Sequence, residues 1–447
     1  MHRLLILCTL ILLPAASAEA SSLKLTVKDA LRMALDNNSN VKAARYNSEA
    51  TAEGAEIATS RYLPTISFEE SLMASNSPTN VFIMKLDEGR FNPADFATPD
   101  VVNHPATKHD FKTALSIQQP IFVPSLAPLK QLAIKDVEKS ALQLEATRQK
   151  VAFQAFQTYL ELQRAAAQLK ASEKAVVDAR ENMRLASVRT SSGVGLKSDE
   201  LRSRTHLSMV EQQQLSTRND LTLAQMKLAI LIGLKDESVI EVSDLPEAVQ
   251  VPPMTDQSIS EALQNRVEIR QSHIDMEKSD EFSRMTKRAY LPTIGAFASY
   301  QLNGEEIPFS ADTNSWSAGV SLKWDIFDGF RRGSERKKAL SSQSAAREVL
   351  ASAGNDVKYQ LKESYIRRDE AGKRLEMANH SLKDAEETVR LLGRRYENSL
   401  ATMVELLDAQ TTLNQVRANL VDAEAGYALA GGQVYFMSGT FVKEMLK

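Results

Sequence analysis

Three carboxylates stand out by their position. Asp199 lies near the end of the glycine-bearing stretch SSGVGLKSDE at 191–200, Glu405 ends a second break, YENSLATMVE at 396–405, and Asp408 lies just beyond it. Residues 405 and 408 are i and i+3, so they share one helix face about one turn apart. Like charges that close repel, and such a site lowers the cost by binding a cation or by raising a carboxyl pKa. The plainer account is that acidic residues near a helix start favour the helix dipole. The histidines beyond residue 20 are His104, His109, His206, His273 and His380. None is expected to pair with a carboxylate or a second imidazole at helical ligand spacing. His104 and His109 share a segment that could hold a metal, but a solvated loop accounts for them. Gly193-Val194-Gly195 resembles half of a phosphate loop, yet it follows a helix rather than a strand, so a turn is expected. No nucleophile elbow or zincin pattern occurs. The expectation is a non-enzyme without catalytic residue, cofactor or metal.

What must position those carboxylates begins with an export signal. Arg3, the apolar run Leu4–Leu13 and the small residues Ala16-Ser17-Ala18 read as a Sec-type signal peptide over residues 1–18. The run is too short for a membrane anchor, which needs roughly 20 apolar residues. The only cysteine, Cys8, lies inside that segment, so the exported chain has no disulfide and no thiolate metal site. Loss of Arg3 takes the formal charge from −3 to −4. No basic stripe suggests nucleic acid. No later apolar run would span a bilayer as a helix, so entry into a membrane would have to use strands.

The pentapeptide YLPTI occurs at 62–66 and again at 290–294. At the same offset of 228, Ala34-Leu35 matches Ala262-Leu263, Asn37 matches Asn265 and Val41 matches Ile269. Further on an offset of 206 holds: Leu169 with Leu375, Val176 with Leu382, Met183 with Val389, Asp199 with Glu405 and Leu207 with Leu413. The difference is extra chain around Lys85–Asp110, whose Pro93, Pro99 and Pro105 predict an extended loop. Two consistent offsets indicate an internal tandem duplication. A first repeat is placed at 19–233, a linker at 234–257 and a second repeat at 258–447.

Each repeat carries two strand candidates, placed at 62–84 and 109–123 and at 291–303 and 314–328. Trp316, Ala318, Val320, Leu322, Trp324 and Ile326 alternate with polar residues, the period of a strand with one apolar face. No other apolar element remains to cover four such strands. A sheet in lipid can have no open edge, and four strands cannot close a barrel around anything. Closure would require several chains.

No proline occurs from Leu129 to Leu245 or after Pro308. Both stretches have the Ala, Gln, Leu, Lys and Glu content of long helices. Heptads run through Leu162, Leu169, Val176 and Met183 with Ala165, Ser172, Ala179 and Ala186 between them. A second seam holds Leu375, Leu382, Val389 and Tyr396 with Ala378, Ala385 and Leu392, and a third Leu406, Leu413, Leu420 and Tyr427 with Ala409, Val416, Ala423 and Ala430. These are coiled-coil patterns. They predict helical hairpins over 128–233 and 329–438, each turning at one of the two breaks. A helix from Pro128 to Ser191 would be roughly 95 Å long at 1.5 Å per residue.

From about Leu25 to Gly439 the chain resembles the TolC-type outer-membrane efflux proteins. The resemblance rests on the two LPTI strand starts, QPIF at 119–122 with its partner WDIFDGF at 324–330, and the pattern from Tyr396 to ELLDAQ at 405–410. It implies a mixed α+β membrane protein and a homotrimer. Three chains would give a twelve-stranded barrel in the outer membrane, in contact with its lipid, and a periplasmic α-barrel of twelve helices. Flanking segments around Thr26–Thr59 and Lys235–Arg288 would form an equatorial belt. The implied role is a passive, porin-like duct for efflux or type I secretion, opening to a periplasmic adaptor (membrane fusion) protein and an inner-membrane pump or ATP-driven exporter. Adaptor docking would fall on the tips, Gly193, Val194, Gly195 and Leu196 in the first and Asn398, Ser399, Leu400 and Ala401 in the second. In a threefold tube each inward carboxylate becomes a ring of three. Glu405 and Asp408, with Asp199 and Tyr396, are therefore the expected periplasmic constriction. The sequence departs from the family pattern at Ser399, where a glycine is usual, and at Ala401, where a basic residue is frequent. The competing reading is a soluble periplasmic coiled-coil scaffold or adaptor. Such a protein would carry one hairpin and a β-rich remainder, whereas two hairpins and alternating strands favour the duct.

Overall fold

The computed structural model of the chain describes residues 23–96, 99–234, 240–243, 249–310 and 313–447. The expected signal peptide at 1–18 and parts of the expected 234–257 linker lie outside them. In chain order the elements are β1 (Leu23–Leu25), α1 (Val27–Asn37), α2 (Ser39–Ser60), β2 (Thr65–Ser75), α3 (Pro78–Asp87), a 3₁₀ turn (Pro93–Phe96), α4 (Pro99–Asn103), β3 (Lys108–Phe122), α5 (Leu126–Ser191) and α6 (Lys197–Ile232). They continue with β4 (Ile240–Val242), α7 (Asp256–Asn265), α8 (Val267–Arg288), β5 (Thr293–Gly304), β6 (Thr313–Lys323), α9 (Arg331–Glu397), α10 (Met403–Met437) and α11 (Phe441–Met445). Among the described residues, no helix is long and apolar enough to cross a membrane.

The chain divides into two compact units. One comprises 46–143 and 268–353 and is organised on a four-stranded sheet in the order β2-β3-β5-β6, each neighbour antiparallel. The register sets Ile66 opposite Ile117, Phe68 opposite Leu115 and Leu72 opposite Phe111. It continues with Leu115 opposite Tyr300 and Ile117 opposite Ala298, then Tyr300 opposite Trp316 and Ala296 opposite Val320. Side chains alternate across a strand, so this register gathers Ile66, Phe68, Leu72, Leu115, Ile117, Tyr300, Trp316 and Val320 on one face, crossed by the row Glu70, Thr113, Leu302 and Asn314, while Met73 and Phe297 lie on the other. The other face carries Ser67, Ser116, Ser299 and Ser317 in a cross-strand row. The apolar face is bare in the single chain, with Trp316 at 77 % and Val320 at 68 % exposure. The outer edges of β2 and β6 have no partner strand within the sheet.

Two strand boundaries and one loop differ from expectation. The strand expected over 62–84 ends at Ser75, because Pro78 opens α3. The strand expected to reach 328 ends at Lys323, and the Trp324 indole N–H instead donates to the Tyr290 carbonyl at 3.0 Å. The extended loop expected over 85–110 is built structure: it holds the end of α3, the 3₁₀ turn, α4 and the start of β3. It contains Pro93, Pro99 and Pro105. Pro93 and Pro99 each stand at the first position of a helical turn, where a missing N–H costs nothing, and only Pro105, between α4 and β3, lies outside an element.

The second unit comprises residues up to 45, 144–267 and 354–447. Its main core packs Leu31 of α1, Phe156, Tyr159 and Leu162 of α5, Leu228 and Ile232 of α6, and Phe441 of α11. The Phe153 ring stacks on Phe436 at 4.5 Å and meets Phe441 edge-on at 5.2 Å. The segment after 438 thus ends in a short helix anchored by a buried aromatic residue. Gly432 of α10 is held against Phe156, where a Cβ would stand 2.3 Å from the ring. Heptad positions 162, 165, 172, 176, 179 and 186 of α5 are buried, and 375, 378, 382, 385, 389 and 392 of α9 are half-buried between exposed neighbours.

Candidate functional site: the two hairpin tips

The α5–α6 turn is closed by its own backbone. The Val194 and Gly195 amides donate to the Arg189 carbonyl at 3.0 and 2.8 Å. Gly193 adopts φ +76°, the left-handed conformation that terminates helices. At Gly195 a Cβ would lie 2.9 Å from the Arg189 backbone and side chain. Beyond the turn, α6 starts at Leu196 without a side-chain cap. Val194 and Leu196 project apolar side chains, 69 % and 67 % exposed.

The α9–α10 turn uses different means. Ser399 takes φ +60° without being glycine. The Leu400 amide donates to the Arg395 carbonyl at 2.7 Å, and the Asn398 side chain to the Arg394 carbonyl at 2.7 Å. Thr402 caps α10: its hydroxyl accepts from the Glu405 amide, while the Glu405 carboxylate accepts from the Thr402 amide at 2.7 Å and hydroxyl at 2.9 Å. These donors hold the Glu405 carboxyl below the usual range, the backbone N–H being the largest cause. Asp408 is exposed on the same helix.

One residue joins the two turns. The Arg189 side chain donates to the Tyr396 and Glu397 carbonyls at 3.0 Å each and to the Ser399 hydroxyl at 2.7 Å. Its guanidinium also lies 4.9 Å from the centre of the Tyr396 ring. Tyr396 is itself 4 % exposed and packs with Ala186, Met403 and Leu406, flanked by Leu392, Ala401 and Leu407. Burial raises the Tyr396 phenol, and the Asp199 charge adds to the effect. Asp199 is half-exposed, whereas its neighbour Glu200 is buried to 8 % and paired with Lys197 at 2.7 Å and Arg204 at 2.9 Å.

The structure therefore brings Asp199 and Tyr396 into one electrostatic neighbourhood and engages Glu405 as a helix cap. Sequence reasoning missed Arg189 and Glu200. A basic residue one turn before a glycine turn was the available signal for the first. It also missed an ion pair: His104 lies 4.0 Å from Asp100, i and i+4, with both side chains exposed.

Against that geometry the comparisons are decisive. The family model for the outer membrane efflux protein matches residues 30–234 and 258–440. The chain belongs to this family. The alkaline protease secretion protein AprF of Pseudomonas aeruginosa is 19 % identical over 362 residues, covering 76 % of this chain and 73 % of the relative. The probable outer membrane lipoprotein SilC of Salmonella typhimurium is 23 % identical over 195 residues, and that match spans only 41 % of SilC. Among solved structures, CusC superposes with a TM-score of 0.78 at 16 % identity over 92 % of each chain. VceC of Vibrio cholerae superposes with a TM-score of 0.74 at 15 % identity, covering 92 % of this chain and 96 % of that one. At these identities the superpositions establish the fold. With the family they make this efflux protein an outer-membrane channel component extending into the periplasm.

Proposed function

We propose that three copies of this chain form a passive duct. It receives cargo from a periplasmic adaptor and an inner-membrane pump or ATP-driven exporter. The observation that carries this reading is the β2-β3-β5-β6 sheet, with one largely apolar face and two unpaired edges. Unpaired backbone groups in hydrocarbon cost several kcal/mol each, in the order-of-magnitude sense, so an isolated sheet cannot enter lipid. Three sheets joined edge to edge close a barrel of twelve strands, and the α5–α6 and α9–α10 hairpins of the same three chains supply twelve helices. The repeats at 19–233 and 258–447 are the units of the duplication that this architecture uses. The efflux protein, extracted in detergent and analysed by light scattering, is expected to run as three chains and to dissociate on heating. A stable monomer would overturn the reading.

In this duct Glu405 and Asp408, with Asp199 and Tyr396 beside them, form the periplasmic constriction. The exposed tips, Gly193–Leu196 and Asn398–Ala401, dock the adaptor. The face shared by residues 405 and 408 would stack two rings of three carboxylates under threefold symmetry. Trivalent cations added from the periplasmic side of a planar bilayer are then expected to block wild-type current and to lose that block in the Glu405→Ala/Asp408→Ala double variant. Equal block in both proteins would remove the carboxylates from the lumen.

A further inference from the structure

Ten residues beyond Leu196, about 15 Å along α6, His206 borders a cavity of about 400 Å³ between α5, α6 and α10. Gln168, Ser172 and Thr217 line one side, Thr411, Asn414 and Gln415 another. The His206 Nε2 is buried and has no hydrogen-bond partner. Every residue lining the cavity from the three helices is uncharged at neutral pH. The charged groups near the same level satisfy one another: Arg417 with Asp178 at 3.0 Å and Arg180 with Glu211 at 2.9 Å. Ser172 and Thr217 do the same through their hydroxyls at 2.9 Å.

We propose that His206 is an acid-sensitive wedge, whose protonation draws its ring out towards the solvent-open side of this cavity and loosens α10 from α5 and α6 beside the tips. A buried cation without a counter-charge is costly, and the group either stays neutral or forces its surroundings open. Burial accordingly holds the imidazole below the ordinary histidine value of 6.5. The sign follows by linkage. The loosened state exposes the ring and titrates near 6.5, the packed state lower. Packing is fully favoured above 6.5, weakens as pH falls below it and is weakest below the packed-state value. The α10 wall of the cavity, Thr411–Ala418, follows the tip core of Met403 and Leu406 along the same helix. Loosening there therefore bears on the mouth, which rests on the duct reading above.

Cysteines placed at exposed Ser208 and Thr412 would carry spin labels on α6 and α10, since the chain's only natural cysteine is Cys8. In the full-length detergent-purified protein the label distance should widen between pH 7.5 and pH 5. The widening should be lost in His206→Gln, which keeps a neutral polar side chain. Histidine ring signals, assigned by difference from His206→Gln, should show His206 titrating below the free value. A widening that persists in His206→Gln, or a His206 that titrates at or above 6.5, overturns the proposal. Bilayer current recorded over the same pH range separates the two readings. A several-fold rise that disappears in His206→Gln supports both. Widening without any change in current supports the wedge and counts against the duct's gating.

Discussion

The two tips perform the same turn by opposite strategies. The first relies on backbone: Gly193 supplies the left-handed residue, Gly195 lets the chain pass within contact of Arg189, and α6 begins without a side-chain cap. The second relies on side chains: Ser399 stands in the left-handed region, Thr402 and Glu405 cap α10, and an arginine from the other hairpin fastens the carbonyls. The arginine serves both, since its carbonyl closes the first tip while its side chain holds the second. The difference teaches that the second tip is conditional. Its conformation depends on a neighbour, whereas the first is encoded in its own glycines.

The largest expected effect is therefore at Arg189. Arg189→Ala removes three hydrogen bonds and a cation–π contact, and hydrogen bonds from a charged donor are each worth about 1.5–3 kcal/mol net. These bonds are partly exposed, so a total loss of about 2–3 kcal/mol is expected. It should fall on the second tip alone. Hydrogen exchange at the Leu400 amide should accelerate strongly while that of Val194 changes little. Comparable acceleration at both tips would mean that the clasp is shared and the comparison fails. Ser399→Gly sharpens the test. Glycine accepts φ +60° freely, a gain of about 1 kcal/mol, but it lacks the hydroxyl that Arg189 binds. It should be near neutral alone and protective in the Arg189→Ala background.

Gly195→Val probes the opposite strategy. A Cβ there would sit 2.9 Å from backbone atoms of Arg189 and Thr190, which cannot rotate away. Overpacking of this kind costs about 1–3 kcal/mol. The first tip should lose protection against proteolysis, and the second should follow to a lesser degree because the same arginine is displaced. A variant as protected as wild type would show that the turn has slack.

Much of this molecule is legible in its sequence. Period seven places Leu375, Ala378, Leu382 and Ala385 on the half-buried side of α9, because packing between long helices follows a simple periodicity. Period two places Trp316 and Val320 on one face of β6 for the same kind of reason. The clasp is illegible because two of its three acceptors are carbonyls 207 and 208 residues away, and a carbonyl has no residue type. The helices inserted after β2 are illegible because proline marks both a loop and a helix start. Glu200 drew no attention because Lys197 and Arg204, three and four positions away, resemble an ordinary solvated face.

A smaller effect is expected at the cap. Thr402→Ala should destabilise the start of α10 by about 1 kcal/mol. It should also change the acid response. The Glu405 carboxyl is lowered in the folded tip by Thr402 donors. Its contribution is present above the ordinary carboxylate value and is lost as pH falls through the folded value. Thermal stability of wild type should thus decline towards acid more steeply than that of Thr402→Ala. Parallel pH profiles would show that the Thr402 hydroxyl contributes nothing to the acid response, the residue-402 amide alone holding the Glu405 carboxyl.

The smallest effect is a gain. Leu196 occupies the cap position of α6 with an extended backbone, φ −88° and ψ 140°, but it offers no acceptor to the first amides. Serine is a favoured residue there, and Leu196→Ser should stabilise the first tip by about 0.5–1 kcal/mol, making the two tips alike. Little packing is lost, because the leucine side chain is two-thirds exposed. If stability were what selected this residue, transport would be indifferent to the change or improve. The proposed docking role requires the reverse: a tip that is slower in hydrogen exchange, a trimer at normal levels, and transport that falls because an apolar contact for the adaptor is gone. Transport at the wild-type rate in the stabilised variant would leave Leu196 an uncapped helix start with no partner, and docking would have to rest on Val194 and the second tip.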